Sequence, residues 1–183
     1  MEEITGDGLE DQRLDPVEIE QAVVGGPRER GDLLTLEGGC AVRRGAYEAA
    51  GIPETCLQHT QEFFPNDIDG ERGLRALLED NRKGDGTAAV ILEPVGPESA
   101  TRPVHRDFNA RVRRLCDEFE ALLIFDEVQT GLGGTGRMWA FEHFGLVPDI
   151  VAFAKKVQVG GILCSRRVEE VQDHVFARSS RIN

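Results

Sequence analysis

The fold class of this chain can be inferred from the segment ALLIFDEVQTG, residues 121–131. Its first five residues are apolar, as in a strand buried on both faces of a parallel sheet. Asp126 follows directly, and ligand sites in open α/β sheets lie beyond the carboxyl ends of the strands. Asp126 is therefore placed to offer a carboxylate to a ligand. Taken alone, the pattern favours an aspartate that caps the following turn, because such residues are common.

Two similar apolar runs lie on either side of this segment. AAVIL, residues 88–92, and IVAF, residues 150–153, are each predicted to form a buried strand. Residues 105–120 carry apolar side chains at helical spacing and lie between the first two strands. Buried strands joined by a helix predict an α/β fold with a mainly parallel sheet flanked by helices. Shorter helices are predicted near residues 46–50, 74–82, 141–144 and 168–176. Residues 33–68 are otherwise ambiguous.

The negative charge is concentrated at the start of the chain. The formal net charge is −12, and residues 1–32 contribute −7 through ten acidic and three basic side chains. These residues lack sustained periodicity, so they are predicted to form an acidic, disordered arm before a domain at residues 33–183. The overall balance argues against nucleic acid as a partner, because phosphate binding needs a basic face.

Hydropathy and cysteine spacing exclude several classes of protein. No apolar run is long enough to span a membrane, and the first residues do not resemble a signal peptide. A cytoplasmic location is therefore expected. None of the four cysteines has CxxC spacing and the histidines do not cluster with them, so no metal site is predicted. Cys116 and Cys164 lie in apolar stretches and are predicted to be buried.

A second motif, PDIVAFAKK at residues 148–156, ends a short apolar strand with two lysines. Lysines often end strands as solvated residues. A lysine in a partly desolvated pocket instead has a lowered pKa and can form a Schiff base. Pyridoxal phosphate (PLP) chemistry needs a lysine for the aldehyde and an acid that keeps the ring nitrogen protonated. The two motifs together therefore favour a PLP site, which neither motif indicates alone.

Three segments resemble consecutive motifs of class III aminotransferases, which are fold-type I PLP enzymes: DEVQTG (126–131), GTGRMWAFEHFG (134–145) and PDIVAFAK (148–155). The 29-residue interval between Asp126 and Lys155 matches the family interval between the pyridine aspartate and the Schiff-base lysine. That interval selects Lys155 over Lys156. On an extended strand end the two lysine side chains would point to opposite faces, so only one could enter a cleft. We predict that Asp126 and Lys155 lie at the ends of adjacent strands, with both side chains in one cleft. The resemblance implies that Asp126 and Lys155 are catalytic, that both bind the cofactor, and that residues 33–183 are part of the PLP-binding large domain.

Further residue roles are implied by the resemblance alone. It implies that Val128 packs against the cofactor ring on the face opposite the substrate, and that Gln129 lies near the phenolic oxygen. LEPVGPES, residues 92–99, is similar to a family motif in which several ω-aminotransferases keep a glutamate at the position of Glu98. That glutamate gates a substrate-binding arginine. Glu98 is equally compatible with an ordinary acidic loop residue.

Two subgroups of the family share features with this chain. Residues 155–183 resemble lysine 6-aminotransferases, which implies transfer of the terminal amino group of L-lysine to 2-oxoglutarate by a homodimer. Residues 50–81 and 93–119 are more similar to glutamate-1-semialdehyde aminomutase-type members. The lysine type is favoured slightly, because its resemblance surrounds the proposed Schiff-base lysine.

The resemblance covers about residues 46–183, in the middle of a longer family pattern. The sequence contains neither an SGTEA-like loop, which would hold the cofactor phosphate, nor an aromatic–His–Gly motif, which would supply a stacked ring. We therefore expect a fragment truncated at both ends. A non-catalytic remnant stays open as the alternative to an enzyme.

Overall fold

The structure, a computed structural model, describes residues 32–36, 59–97 and 102–169. Its strands are β1 (Asp32–Leu36), β2 (Thr60–Phe63), β3 (Thr87–Leu92), β4 (Leu122–Asp126), β5 (Ile150–Phe153) and β6 (Gly161–Cys164). They form one sheet in the spatial order β2–β1–β3–β4–β5–β6. The pairs among the first five strands are parallel, and β6 pairs antiparallel with β5. The predicted α/β fold with a mainly parallel sheet is confirmed.

Helices connect these strands and cover the sheet. Those with bounds in the described ranges are α1 (Leu74–Asn81), α2 (Phe108–Glu118), α3 (Arg166–Glu169) and two 3-10 helices, Ala140–Phe144 and Lys155–Val157. Helix α2 makes the crossover from β3 to β4 and buries Phe108, Val112 and Leu115. These residues are three or four positions apart, so they share one face of the helix. That face packs into the core.

The two central strands form the base of the site described below. Val90 and Leu92 of β3, and Leu123 and Phe125 of β4, are fully buried. Burying a side chain of this size contributes about 1.5–3 kcal/mol. The strands pair in register up to Leu92 opposite Phe125, so β3 and β4 end together at one edge of the sheet. The chain segments that follow β3 and β4 therefore begin at paired strand ends whose side chains are anchored in the core.

The elements with strong apolar patterns are confirmed, and the weakly patterned strands were missed. The strands predicted at residues 88–92, 121–125 and 150–153 correspond to β3, β4 and β5 within one residue. Strands β1, β2 and β6 were not predicted. Strand β2, TQEF, is mostly polar because it lies at an edge of the described sheet, where one side of a strand remains unpaired.

Several predictions fall partly or wholly outside the described residues. The acidic arm predicted at residues 1–32 is described only at Asp32, which begins β1 and pairs with Thr87 of β3. Asp32 therefore belongs to the sheet. The helix predicted near residues 46–50 lies outside the described ranges. The helix predicted at residues 168–176 begins earlier, at Arg166, and is described as far as Glu169.

The predicted burial of two cysteines is right for one and wrong for the other. Cys116 faces the core from α2, and burial raises the pKa of its thiol from 9.0 to about 12. Cys164 is exposed, because β6 lies at the edge of the described sheet. In the described ranges, no helix has the length and apolar character needed to cross a membrane.

Candidate functional site

The candidate site lies at the carboxyl ends of β4 and β5, which are adjacent parallel strands. Asp126 is the last residue of β4 and pairs in register with Ala152 of β5. Lys155 follows the end of β5 at Phe153 after one intervening residue. Parallel strands end at the same edge of a sheet. The prediction that Asp126 and Lys155 lie at the ends of neighbouring strands is therefore confirmed.

Asp126 caps the loop that follows it. Its Oδ1 accepts a hydrogen bond of 3.0 Å from the backbone N–H of Val128. This is the turn-capping contact that the sequence pattern favoured. Its Oδ2 has no hydrogen-bond partner in the described part of the chain, and the side chain is half-buried. The turn-capping contact therefore occupies one of the two carboxylate oxygens.

Glu127 is the buried anchor of the same loop, a role that no sequence motif had indicated. The residue is only 1% exposed. Its carboxylate accepts hydrogen bonds from the Thr130 hydroxyl at 2.7 Å and from the backbone N–H groups of Ala140 and Phe141 at 2.9 Å each. The two N–H groups begin a 3-10 helix, where donors lack partners within the helix. The sequence did contain one signal for this role. Asp126 and Glu127 are adjacent acids at a strand end, where neighbouring side chains point to opposite sides, so one of them could be expected to face the interior.

Trp139 packs this loop against β5. The centroid of its indole ring lies 5.8 Å from that of the Phe153 ring, with the planes inclined at 55°. A Cβ atom on Gly131 would lie 2.7 Å from the indole ring and 2.8 Å from the Glu127 carbonyl oxygen, so this close approach requires glycine. The backbone N–H of Trp139 donates to the Glu142 carboxylate at 2.7 Å. The loop after β4 is thus held at several points.

The two lysines after β5 make different contacts. Lys155 begins a 3-10 helix with φ 53°, so the prediction that both lysines sit on an extended strand end is wrong, because β5 stops at Phe153. A 3-10 helix has about three residues per turn, so the two side chains still leave in different directions. Lys156 Nζ donates to the Gln129 carbonyl oxygen at 2.5 Å. The Lys155 amine has no hydrogen-bond or ion-pair partner within the described ranges.

The roles of the remaining predicted site residues stay predictions. Val128 is half-buried and Gln129 is exposed, and both lie on the loop directly after Asp126. Their contacts with a cofactor stay predictions. Glu98 lies outside the described residues. The convergence of the Asp126 and Lys155 side chains on one cleft also stays a prediction, since no ion pair joins these two described residues.

A buried ionic network fixes the opposite end of β5. The Asp149 carboxylate accepts hydrogen bonds from the Leu123 backbone N–H at 2.7 Å, from Arg113 at 2.8 Å and from Arg167 at 3.3 Å. The three charged side chains are at most 14% exposed. Burial lowers the pKa of Arg113, but the charge and hydrogen bond of Asp149 outweigh burial and raise it. The network holds β5 against β4, α2 and α3.

The chain is similar to aminotransferases in sequence. A family model described as Aminotransferase class-III matches residues 49–175. The L-lysine-epsilon aminotransferase of Mycobacterium tuberculosis (strain H37Rv) is 54% identical over 112 residues, which cover 61% of this chain and 24% of that protein. The L-lysine-epsilon aminotransferase of Streptomyces clavuligerus is 36% identical over 174 residues, which cover 93% of this chain and 38% of that protein.

The structure is similar to a solved member of the same group. Lysine aminotransferase from M. tuberculosis matches with a TM-score of 0.65 and 36% sequence identity, over 83% of this chain and 39% of that chain. The chain thus spans 24% to 39% of the length of these relatives.

Proposed function

Because this chain belongs to the class III aminotransferase family, we propose that it is part of an enzyme that transfers an amino group between an amino acid and a 2-oxo acid with pyridoxal phosphate. The observation that carries the proposal is the placement of Asp126 and Lys155 at the ends of adjacent parallel strands. We propose the terminal amino group of L-lysine as the donor group and 2-oxoglutarate as the acceptor.

The residues of the candidate site fit this cofactor. An aldehyde condenses with a lysine amine that can reach it and lose its proton. The Lys155 amine has no hydrogen-bond or ion-pair partner among the described residues, whereas the Lys156 amine donates to the Gln129 carbonyl oxygen. The ring nitrogen needs a carboxylate, and Asp126 keeps one oxygen without a partner among the described residues. The left-handed backbone of Lys155 costs about 1–2 kcal/mol, and strained residues of this kind cluster at functional sites.

Each of these residues has a definite task in the proposed reaction. The bound cofactor supplies an electron sink for the bond that is broken at the substrate carbon. Asp126 stabilises the positive charge of the ring nitrogen. Lys155 Nζ would carry the proton between the substrate carbon and the cofactor, a general acid–base role that contributes about 10²–10⁴ in rate. Val128 and Gln129 lie on the short loop that Asp126 caps, which supports their proposed positions at the ring face and near the phenolic oxygen.

The substrate proposal rests on resemblance. Both curated relatives described above are named L-lysine-epsilon aminotransferases. A glutamate-1-semialdehyde aminomutase-like activity, on the resemblance of residues 50–81 and 93–119, or another class III aminotransferase activity stays the alternative. We further propose a homodimer as the functional form, the cytoplasm as its location, and Glu98 as the gate of a substrate-binding arginine.

Lysine labelling tests the proposed cofactor site, because the chain has three lysines, Lys83, Lys155 and Lys156. With one equivalent of PLP we expect a visible absorption band. Borohydride reduction followed by peptide mapping should then locate the pyridoxyl group on Lys155. Lys155→Ala should lose the band and the label, whereas Lys156→Ala should keep the label on Lys155. Lys83→Ala is the matched control, because Lys83 pairs with Asp80 far along the chain from the site.

The outcomes separate the assignment of the lysine from the identity of the cofactor. A label found on Lys156 in the wild-type chain would refute the assignment of Lys155 and the alignment behind it. A wild-type chain that gives neither band nor label would refute the PLP proposal and favour the non-catalytic alternative.

A further inference from the structure

Lys156 joins two chain segments that the proposed site needs in one place. Its Nζ donates to the Gln129 carbonyl oxygen at 2.5 Å, which links the 3-10 helix after β5 to the loop after β4. Its side chain also lies against Gly134: a Cβ atom there would be 2.9 Å from Nζ and 3.2 Å from Cε. Two separate contacts therefore define the path of this side chain.

The hydrogen bond from Lys156 holds the part of the loop that carries two proposed cofactor-binding residues, Val128 and Gln129. Gln129 follows Val128, whose backbone N–H is already held by Asp126 at 3.0 Å. Gln129 itself is exposed, and Lys156 is its tertiary hydrogen-bond partner in the described part of the chain. Without the Lys156 contact, Asp126 would still hold the Val128 N–H, but the Gln129 carbonyl would lose its tertiary hydrogen bond from the described residues.

We propose that Lys156 is a positioning residue for the cofactor site. Its ammonium group holds the Gln129 carbonyl and thereby sets the positions of Val128 and Gln129 relative to Lys155. A lysine ammonium has three donors and no acceptor, which suits a carbonyl partner. The inference rests on the proposed function, and it gives the two neighbouring lysines different tasks. The Lys155 amine stays free for the cofactor, and the Lys156 amine stays a hydrogen-bond donor.

Three variants separate the hydrogen bond from the bulk of the side chain. Lys156→Met keeps much of the stem and removes the charge and the donors, whereas Lys156→Arg keeps charge and donors. Lys83→Met is the control at a distant surface lysine. Without cofactor, hydrogen–deuterium exchange in residues 127–134 should be faster in Lys156→Met and unchanged in the other two.

The same variants are then compared for PLP binding by absorption titration. We expect the dissociation constant to rise about fivefold to tenfold in Lys156→Met, as for one lost charge-assisted hydrogen bond near solvent. Lys156→Arg and Lys83→Met should stay within about twofold of the wild type. The urea midpoint of all variants should match the wild type, which separates local positioning from global stability.

Gly134→Ala approaches the same contact from the other side. A methyl group at this position would lie 2.6 Å from the Thr130 carbonyl oxygen and 2.9 Å from Lys156 Nζ, so it would shift the loop as well as the ammonium group, and PLP binding should weaken. The effects of Gly134→Ala and Lys156→Met on PLP binding should be less than additive, because both variants remove the same hydrogen bond from Lys156 to the Gln129 carbonyl. Full additivity would contradict the proposed coupling.

The outcomes distinguish this proposal from the proposed function. Unchanged exchange or unchanged PLP affinity in Lys156→Met would overturn the positioning role and leave the proposed function intact. Weak PLP binding by Lys156→Arg would overturn it as well, because that variant keeps the donor. A wild-type chain that binds no PLP would refute the proposed function, and the positioning role with it.

Discussion

Glu127→Gln should destabilise the chain, because glutamine cannot replace all three hydrogen bonds of the buried carboxylate. Oε2 accepts from the Thr130 hydroxyl and the Ala140 N–H, and Oε1 accepts from the Phe141 N–H. Glutamine has one carbonyl oxygen, and its amide nitrogen is a donor. The best arrangement keeps the oxygen facing Thr130 and Ala140. The amide nitrogen then faces the Phe141 N–H, so two donors oppose each other.

The expected loss of unfolding free energy follows from the number of hydrogen bonds that the substitution removes or weakens. A hydrogen bond to a charged group contributes about 1.5–3 kcal/mol, and a neutral one about half as much. Glu127→Gln loses one charged bond and weakens two, and the smaller desolvation cost of an amide offsets part of that loss. We therefore expect a net decrease of about 2–4 kcal/mol in the free energy of unfolding. The free energy of unfolding of a domain is typically about 5–15 kcal/mol, so this decrease would be a large fraction of it.

Trp139 is the single tryptophan of the chain and reports directly on this loop. Urea unfolding followed by its fluorescence should show a midpoint lower by about 1–2 M, for a typical slope near 2 kcal/mol/M. Glu71→Gln is the matched control, because Glu71 is exposed and should change stability by less than about 0.5 kcal/mol. A midpoint for Glu127→Gln equal to that of Glu71→Gln would refute the anchoring role of Glu127.

Two further predictions concern the core behind the site. Asp149→Ala should cost about 3–5 kcal/mol of unfolding free energy, because Arg113 and Arg167 stay buried without their shared carboxylate; a denaturation midpoint like that of the wild type would contradict this. In native protein at pH 8, iodoacetamide should label Cys164 and spare Cys116, as read by mass spectrometry, because burial raises the Cys116 pKa to about 12. Since the folded pKa lies above the unfolded 9.0, the Cys116 contribution to stability is present below pH 9.0 and decreases as pH rises towards 12. Rapid labelling of Cys116 at pH 8 would contradict the buried assignment.

Local sequence patterns were sufficient for most of the interior strands of the sheet. Strands β3, β4 and β5 are short apolar runs that each pair with a strand on both sides, and their composition alone identified them. Strands β2 and β6 needed the sheet around them, because they lie at its described edges, and a threonine interrupts the apolar run of β1, DLLTL. Cys164 illustrates the same limit: its apolar neighbours suggested burial, and the edge position of β6 leaves it exposed.

The chemistry of the site was predicted from the chain, and its support was visible only in three dimensions. An acid and a lysine at the ends of apolar strands are local features, so the sequence placed Asp126 and Lys155 at one edge of a parallel sheet. The anchoring role of Glu127 depends on Ala140 and Phe141, which lie far along the chain. The contact of Lys156 with Gln129 likewise joins residues separated by 27 positions. Such contacts follow from how strands and loops pack, which no local pattern specifies.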